Sequence, residues 1–146
     1  MNIRPATPPD AAGWLQMRQT LWPECSLARH RLEMQQLSEA HDALVLVAID
    51  EAGRPRGFAE VSIRHDHVDG AASVPTAYLE GWYVDAEVRG SGLGRQLLQA
   101  AEGWALKRGL RELASDVELE NETGIKTHLA CGFSETCRAV HFIKPL

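Results

Sequence analysis

A short glycine-rich segment, residues 89–94 with the sequence RGSGLG, has the composition of an anion-binding loop. It follows an apolar run and precedes a run with helical periodicity. Glycines here let backbone N–H groups point into an open concavity, and the dipole of the following helix adds partial positive charge. These features favour a site for an anion, and among anions a pyrophosphate fits best. The alternative is a glycine-rich turn that binds no ligand.

The spacing of the glycines excludes three common motifs. A dinucleotide-binding G-x-G-x-x-G would need its third glycine at Arg95 or Leu97, and a P-loop would need a glycine followed by lysine. A nucleophile elbow, G-x-S-x-G, would need glycine where Arg89 stands. The pattern that remains is Arg89-x-x-Gly92-x-Gly94 between a strand and a helix.

Composition limits the classes of partner. The 146 residues predict one domain, residues 1–146, that can bury a core without metal or disulfide support. The formal net charge of −5 argues against a nucleic-acid partner and is compatible with a cationic ligand. Three cysteines without C-x-x-C spacing indicate a reduced, cytoplasmic protein. We expect no membrane partner, because no stretch approaches the length of a membrane span.

The periodicity of the chain predicts elements that would position this loop. Strands are expected at 2–5 (NIRP), 43–49 (ALVLVAI), 57–64 (GFAEVSIR), 76–84 (TAYLEGWYV), 111–117 (RELASDV) and 133–144 (FSETCRAVHFIK). Helices are expected from Thr7-Pro8 through Leu21, over about 26–38, over 94–109 with Gly109 as its stop, and over 121–131 with Gly132 as its stop. Hairpins early and a β-α-β order late predict an α/β or α+β fold with a mixed sheet.

Acidic side chains mark a second candidate site. The segment 112–122 holds five carboxylates and no lysine or arginine. For Glu118, Glu120 and Glu122 a solvated surface is the favoured interpretation. Glu80 and Asp116 differ, because each lies in or at the end of an apolar strand, where an unpaired carboxylate is costly. These two predict a cationic partner.

The glycine segment resembles the coenzyme A pyrophosphate loop, Q/R-x-x-G-x-G/A, of the GNAT N-acetyltransferase superfamily. The element order and the run from Asn121 to the CGF at 131–133 are similar to that family as well. The resemblance implies the GNAT fold, a mixed and mostly antiparallel sheet flanked by about four helices. Four further blocks resemble the type I aminoglycoside 6′-N-acetyltransferases: LWPE at 21–24, IRHDHVDG at 63–70, YLEGWYV at 78–84 and ELASDVELEN at 112–121.

This resemblance implies direct transfer of acetyl from acetyl-CoA to the 6′-amine of an aminoglycoside, which gives antibiotic resistance, by a homodimeric enzyme. A backbone N–H on the strand before the loop would donate to the thioester oxygen. Gly81 in that strand is consistent with a bulge that opens the sheet, or with a bulge of no catalytic meaning. The acetyl-CoA site carried over comprises Trp82, Tyr83, Val84, Arg89, Gly90, Ser91, Gly92, Leu93, Gly94, Arg95 and Asn121.

The resemblance also implies an aminoglycoside site formed by Trp22, His67, Glu80, Asp116 and Glu135. Glu80 is the candidate base, through a water, and Trp22 is a sugar or cation platform or else an ordinary core tryptophan. His128 stands where the superfamily often has a tyrosine that protonates the thiolate. It either takes that role or caps the helix. Two further residues depart from the family: His67 replaces a tyrosine, and Cys137 replaces an expected acid.

Two other functions stay open. One is a GNAT enzyme for a polyamine, an amino acid or a protein N-terminus, and the other is a non-enzymatic acyl-CoA sensor. Turnover of acetyl-CoA with an aminoglycoside would separate them. No metal is expected, because His65 and His67 have no third ligand at metal spacing.

Overall fold

The computed structural model describes residues 1–146 and contains one five-stranded sheet whose strands follow chain order. The first four strands are antiparallel, and the last is parallel to the fourth. A parallel neighbour requires a crossover connection, and a helix supplies it here. The predicted mixed, mostly antiparallel sheet is confirmed. The strands are β1 (Asn2–Pro5), β2 (Ala43–Ile49), β3 (Pro55–Arg64), β4 (Thr76–Val84) and β5 (Leu113–Ser115).

Four α-helices flank this sheet, at positions close to those predicted. Ser26 caps the second helix by accepting a hydrogen bond from the Arg29 amide. Gly109 and Gly132 follow the third and fourth helices with φ of +79° and +96°, so both predicted stops are confirmed. The helices are α1 (Ala11–Leu21), α2 (Leu27–Glu39), α3 (Leu93–Lys107) and α4 (Glu122–Ala130), and short 3₁₀ turns cover Pro8–Asp10 and Ala86–Val88.

Each face of the sheet carries its own apolar cluster. α3 packs on one face through Leu97, Leu98 and Ala101, which are all buried. α1 and α2 cover the other face through Trp14, Met17 and Met34, which meet side chains of β2 and β3. Burial of these apolar side chains holds α3 on one face of the sheet. On the other face it places the C-terminal end of α1 over β4.

One ion pair is buried beneath α1. The Arg18 and Glu60 side chains are only 1% and 2% exposed, and their charged groups lie in direct contact. Trp14 Nε1 donates to the same Glu60 oxygen over 2.8 Å, and Arg18 also contacts Glu33. Along β3 the polar residues Glu60, Ser62 and Arg64 alternate with Ala59, Val61 and Ile63, a pattern that predicts a polar face. In the structure α1 covers this face at Glu60, whose carboxylate is paired with Arg18.

Two sequence predictions need correction. β5 is three residues long rather than seven, because its ladder with β4 ends at the pair Leu79–Ser115. The predicted closing strand at 133–144 is wrong for the single chain, since residues 133–146 form no regular element. Val140, Phe142 and Ile143 are 77%, 92% and 96% exposed. A strand needs a neighbour for its backbone hydrogen bonds, and no other strand of the chain lies beside this segment.

The buried pair gives a prediction for stability. Arg18→Met leaves the Glu60 carboxylate buried without its cation, which should cost about 3–5 kcal/mol. Urea unfolding should show this loss. Arg31→Met on the exposed side of α2 is the matched control and should change the free energy of unfolding by less than about 0.5 kcal/mol. Equal stability of the two variants would contradict the importance of the pair.

Candidate active site

A crevice opens where β4 and β5 separate. Their ladder ends at Leu79 and Ser115, but β4 continues to Val84 while paired only with β3. The backbone N–H of Asp85 donates to the Arg56 carbonyl, so the backbone groups of Asp85 face β3. Because this orientation alternates along an antiparallel pair, the backbone groups of Trp82 and Val84 face away from β3. The Val84 carbonyl accepts from Arg89 Nε over 3.0 Å, which agrees with this orientation. The open edge therefore offers backbone donors and acceptors to an extended ligand.

A β-bulge lies at the inner end of this crevice. Glu60 pairs with Gly81 and Val61 pairs with Leu79, so Glu80 is the extra residue of β4. The bulge predicted from Gly81 is confirmed. Gly81 also has a packing reason: a Cβ there would lie 2.6 Å from Trp22 Cη2. Only glycine lets the Trp22 ring lie against the strand beside Glu80.

The glycine segment forms an open cradle between β4 and α3. Gly90 and Gly92 have φ of +82° and +84°, and a Cβ at either would meet empty space. The backbone N–H groups of residues 90–95 bond no other protein group. Leu93 is 3% exposed and anchors the start of α3 in the core. Free amides at a helix N-terminus fit an anionic pyrophosphate.

His128 lies in the crevice wall opposite β4. Its Nδ1 is 2.8 Å from the Gly124 carbonyl, which can only accept, so Nδ1 carries a hydrogen. Its Nε2 is 2.8 Å from Ser115 Oγ at the end of β5. The ring meets Trp82 edge to face with centroids 5.3 Å apart. Asn121 caps the N-terminus of α4 by accepting from the Gly124 amide over 2.9 Å, and His128 lies in the last turn of this helix.

The two predicted acceptor carboxylates both have partners within the chain. Glu80 accepts from Ser62 Oγ at 2.7 Å and from Arg64 at 2.9 and 2.7 Å. Asp116 accepts from the Tyr78 hydroxyl. Burial and this contact with Asp116 raise the pKa of Tyr78. Asp116 is exposed, so burial alone does not require a cation at this position.

A cavity of about 420 Å³ lies between α2, the C-terminal end of α1 and the sheet. Trp22 and Glu80 line it, together with three further carboxylates and the Arg18 guanidinium. Arg18 lies 4.7 Å from the centroid of the Trp22 ring, so one cation already contacts this tryptophan. Glu80 therefore shares one cavity with several other acidic side chains. The three further carboxylates belong to Glu33, Asp42 and Glu60.

His67 and Glu135 lie apart from this centre. His67 is exposed in the loop after β3, with its Nε2 3.8 Å from an Asp69 oxygen. Glu135 is paired with Arg138 of its own segment. No hydrogen bond or ion pair joins either residue to Glu80 or Asp116.

Sequence reasoning missed Arg64, Tyr78 and Ser115. Arg64 follows Glu60 and Ser62 on one face of β3, and this alternation is the sequence signal that could have placed Arg64 beside the site. Its pairing with Glu80 depends on the bulge, which shifts the register by one residue. Ser115 is recognisable only once β5 is known to end there.

None of the helices has both the length and the apolar character needed to cross a membrane. Residues 14–133 match the model of the acetyltransferase (GNAT) family. The chain belongs to the GNAT family. It is therefore an acetyl-CoA-dependent N-acetyltransferase by family, and the cradle and open edge of β4 fit that co-substrate.

Individual GNAT relatives are similar over the whole chain. An aminoglycoside N(6′)-acetyltransferase type 1 of Stenotrophomonas maltophilia is 47% identical over 99% of this chain and 94% of its own length. The solved apo structure of an aminoglycoside 6′-N-acetyltransferase from Acinetobacter haemolyticus matches with a TM-score of 0.94 at 38% identity, covering 100% of this chain and 99% of that one. AAC(6′)-Iy in complex with the bisubstrate analog CoA-S-monomethyl-acetylneamine matches with a TM-score of 0.92 at 34% identity, covering 99% and 98%.

The cradle gives a prediction for co-substrate binding. Gly92→Asp places a side chain and a negative charge at a positive-φ position beside free amides, so coenzyme A affinity should fall at least about tenfold, or about 1.4 kcal/mol. Calorimetry measures this affinity. The control is Gly53→Asp, which changes a positive-φ glycine in the β2–β3 turn and should leave affinity unchanged. Normal binding by folded Gly92→Asp would show that the loop assignment is wrong.

Proposed function

We propose that this GNAT enzyme transfers acetyl from acetyl-CoA to the 6′-amine of aminoglycosides and thereby confers resistance to them. The observation that carries the proposal is the position of Glu80. It lies at the β4 bulge, where the open edge of β4 begins, and it lines the acidic cavity. The full-length similarity to named aminoglycoside 6′-N-acetyltransferases supports the choice of acceptor.

The acetyl-CoA half of the site is proposed to extend from the β4 edge to the glycine cradle. Amides of residues 90–95 would bind the pyrophosphate, and Arg89 and Arg95 add positive charge at its rim. Trp82, Tyr83 and Val84 would present the strand edge to the pantetheine arm, and Asn121 would line the opposite wall at the start of α4. A backbone N–H on this edge would donate to the thioester oxygen as negative charge develops there.

Chemistry in this site is proposed to proceed by direct attack. The neutral 6′-amine attacks the thioester carbon, the C–S bond breaks, and the amide forms. Glu80 takes the amine proton through a water, since its carboxylate lies between the cavity and the crevice. The thiolate leaves toward the wall that carries His128.

His128 is proposed to supply the proton that this thiolate needs, from Nε2 of its doubly protonated form, and it is left as the neutral Nδ1–H tautomer. Its Nδ1–H is held by the Gly124 carbonyl, so only Nε2 can exchange a proton with the crevice. Ser115 Oγ is 2.8 Å from Nε2 and would fix the orientation of the ring. Histidine thus replaces the tyrosine of other family members at this position.

On the acceptor side, Trp22 is proposed to place a sugar ring beside Glu80, and Asp116 to hold a further ammonium group. His67 and Glu135 would contribute from the rim. A polyamine would also satisfy an acidic cavity, so the acceptor must be tested directly against one.

We further propose that the 146 residues act as one acetyltransferase domain in a cytoplasmic homodimer. The exposed apolar side chains at 140–143 support the dimer, because isolated chains rarely expose a contiguous apolar patch of this kind. The three free cysteines support a reducing compartment.

The product with kanamycin A tests the proposed function. We expect one acetyl group on the 6′-amine. Turnover, measured by release of the coenzyme A thiol, should be faster with kanamycin A than with spermidine. Fragmentation mass spectrometry locates the acetyl group. An acetyl group on the deoxystreptamine ring, or turnover of spermidine alone, would overturn the aminoglycoside 6′ assignment and leave the family assignment intact.

The oligomeric state tests the role of the C-terminal segment. Light scattering should give the molar mass of a dimer for the wild-type protein. The double variant Phe142→Glu/Ile143→Glu should have the mass of a monomer, because it places two charges on the apolar stretch. Lys144→Glu, one residue further on, is the control and should remain dimeric. A monomeric wild-type protein at micromolar concentration would contradict the proposal.

A further inference from the structure

Arg64 at the C-terminal end of β3 has no role in the mechanism above, although it contacts the centre of the acceptor site. Its Nε and Nη2 hold the two oxygens of Glu80 at 2.9 and 2.7 Å. Such a two-point guanidinium–carboxylate contact is stronger than a single hydrogen bond and fixes geometry. The candidate base is therefore neutralised by a neighbouring cation when no acceptor is bound.

A second contact holds the same guanidinium. Its carbon lies 3.3 Å from the centroid of the Tyr78 ring, and the hydroxyl of that ring donates to Asp116. The hydrogen bond to Glu80, together with the charges of Glu80 and Asp116, raises the pKa of Arg64. One fixed positive charge thus lies among the carboxylates that the proposed function assigns to the ammonium groups of the acceptor.

We propose that Arg64 is a resident counter-ion of the acceptor site, which a cationic acceptor displaces from Glu80. The inference rests on the proposed function of this site. It assigns Arg64 as a specificity-determining residue, because only an acceptor whose own ammonium group replaces the guanidinium recovers the lost ion pair. A neutral amine-bearing compound has no group that restores it.

Lone-pair and charge arguments support displacement over sharing. A carboxylate accepts about four hydrogen bonds, and Ser62 and Arg64 already donate three to Glu80, so only about one of the three donors of an ammonium group could be accepted while Arg64 stays. The adjacent guanidinium also cancels the attraction that Glu80 would exert on an ammonium group. The Arg64 and Glu80 side chains are 44% and 27% exposed, so solvent moderates the cost of separating them. The Tyr78 ring remains as a surface for the released guanidinium.

Removing the charge of Arg64 tests the proposal. Arg64→Met should bind kanamycin A about three- to tenfold more tightly in the presence of coenzyme A, because no ion pair must be broken first. Calorimetry gives this affinity. In steady-state kinetics the KM for kanamycin A should fall to a similar extent, with kcat within about twofold and the KM for acetyl-CoA unchanged. Arg64→Lys, which keeps the charge but cannot bind with two points, should lie between wild type and Arg64→Met.

Two controls separate displacement from a general effect of charge. Arg31→Met removes one positive charge from an exposed part of α2 and should leave the affinity within about twofold of wild type. In a Glu80→Gln background, Arg64→Met should give no further gain, because the contact that it relieves is already absent. Weaker or unchanged binding by Arg64→Met, or an equal gain in the Glu80→Gln background, would overturn the proposal.

The outcome for Arg64 is separable from that for the proposed function. If the wild-type enzyme acetylates spermidine but no aminoglycoside, the aminoglycoside assignment fails, and the same comparison with spermidine tests Arg64. If the complex of wild-type enzyme and coenzyme A binds neither amine, both proposals fail.

Discussion

The separation of β4 from β5 after Leu79 is the constraint on which the rest of the site depends. Backbone N–H and C=O groups need partners, and β5 offers none to β4 beyond Leu79. Arg89 Nε satisfies the Val84 carbonyl, but the groups of Trp82 that face away from β3 have no such partner. Water or a ligand must satisfy them. The bulge at Glu80 coincides with this point, so the strand changes its hydrogen-bonding register, exposes its edge and presents a carboxylate within a few residues. The glycine cradle then begins five residues after the strand ends, at the entry to α3.

Support for this strand comes from the opposite face of the sheet. Trp22 fills the space left by the missing side chain of Gly81, and the Arg18 guanidinium packs over the Trp22 ring. Arg18 in turn neutralises Glu60, so the buried ion pair is structurally continuous with the acceptor cavity. Three carboxylates around this cavity have side-chain partners: Glu60 is paired with Arg18 and Glu80 with Arg64, and Asp42 contacts the His65 ring. The hydrogen bond from His65 holds the pKa of Asp42 below its usual value. The cavity is thus acidic in composition but partly compensated in charge by Arg18 and Arg64, which is the basis of the proposed exchange of ionic partners.

Local patterns predicted most of the fold and the position of the glycine cradle. Alternation in β3, the apolar stripe of α3 and the glycine stops at 109 and 132 are properties of consecutive residues, so one sequence suffices to recognise them. The cradle is local in the same sense. The acceptor half depends on register. Asp116 was expected to need a cation because it follows an apolar strand, yet β5 ends early and Asp116 lies exposed beside the Tyr78 hydroxyl. The partner of Glu80 could not be predicted, because a one-residue bulge decides which side chain of β3 faces it.

The C-terminal segment shows a further limit of local patterns. Alternating apolar residues specify that a segment can be a strand, but not which chain supplies its neighbour. In the single chain β5 has β4 on one side only. Phe133 still packs against the core, but the residues that follow do not pair with the free edge of β5. Thr136 of this segment lies directly against Gly70, in the loop that carries His67. A partner that orders this segment would therefore also fix one side of that loop.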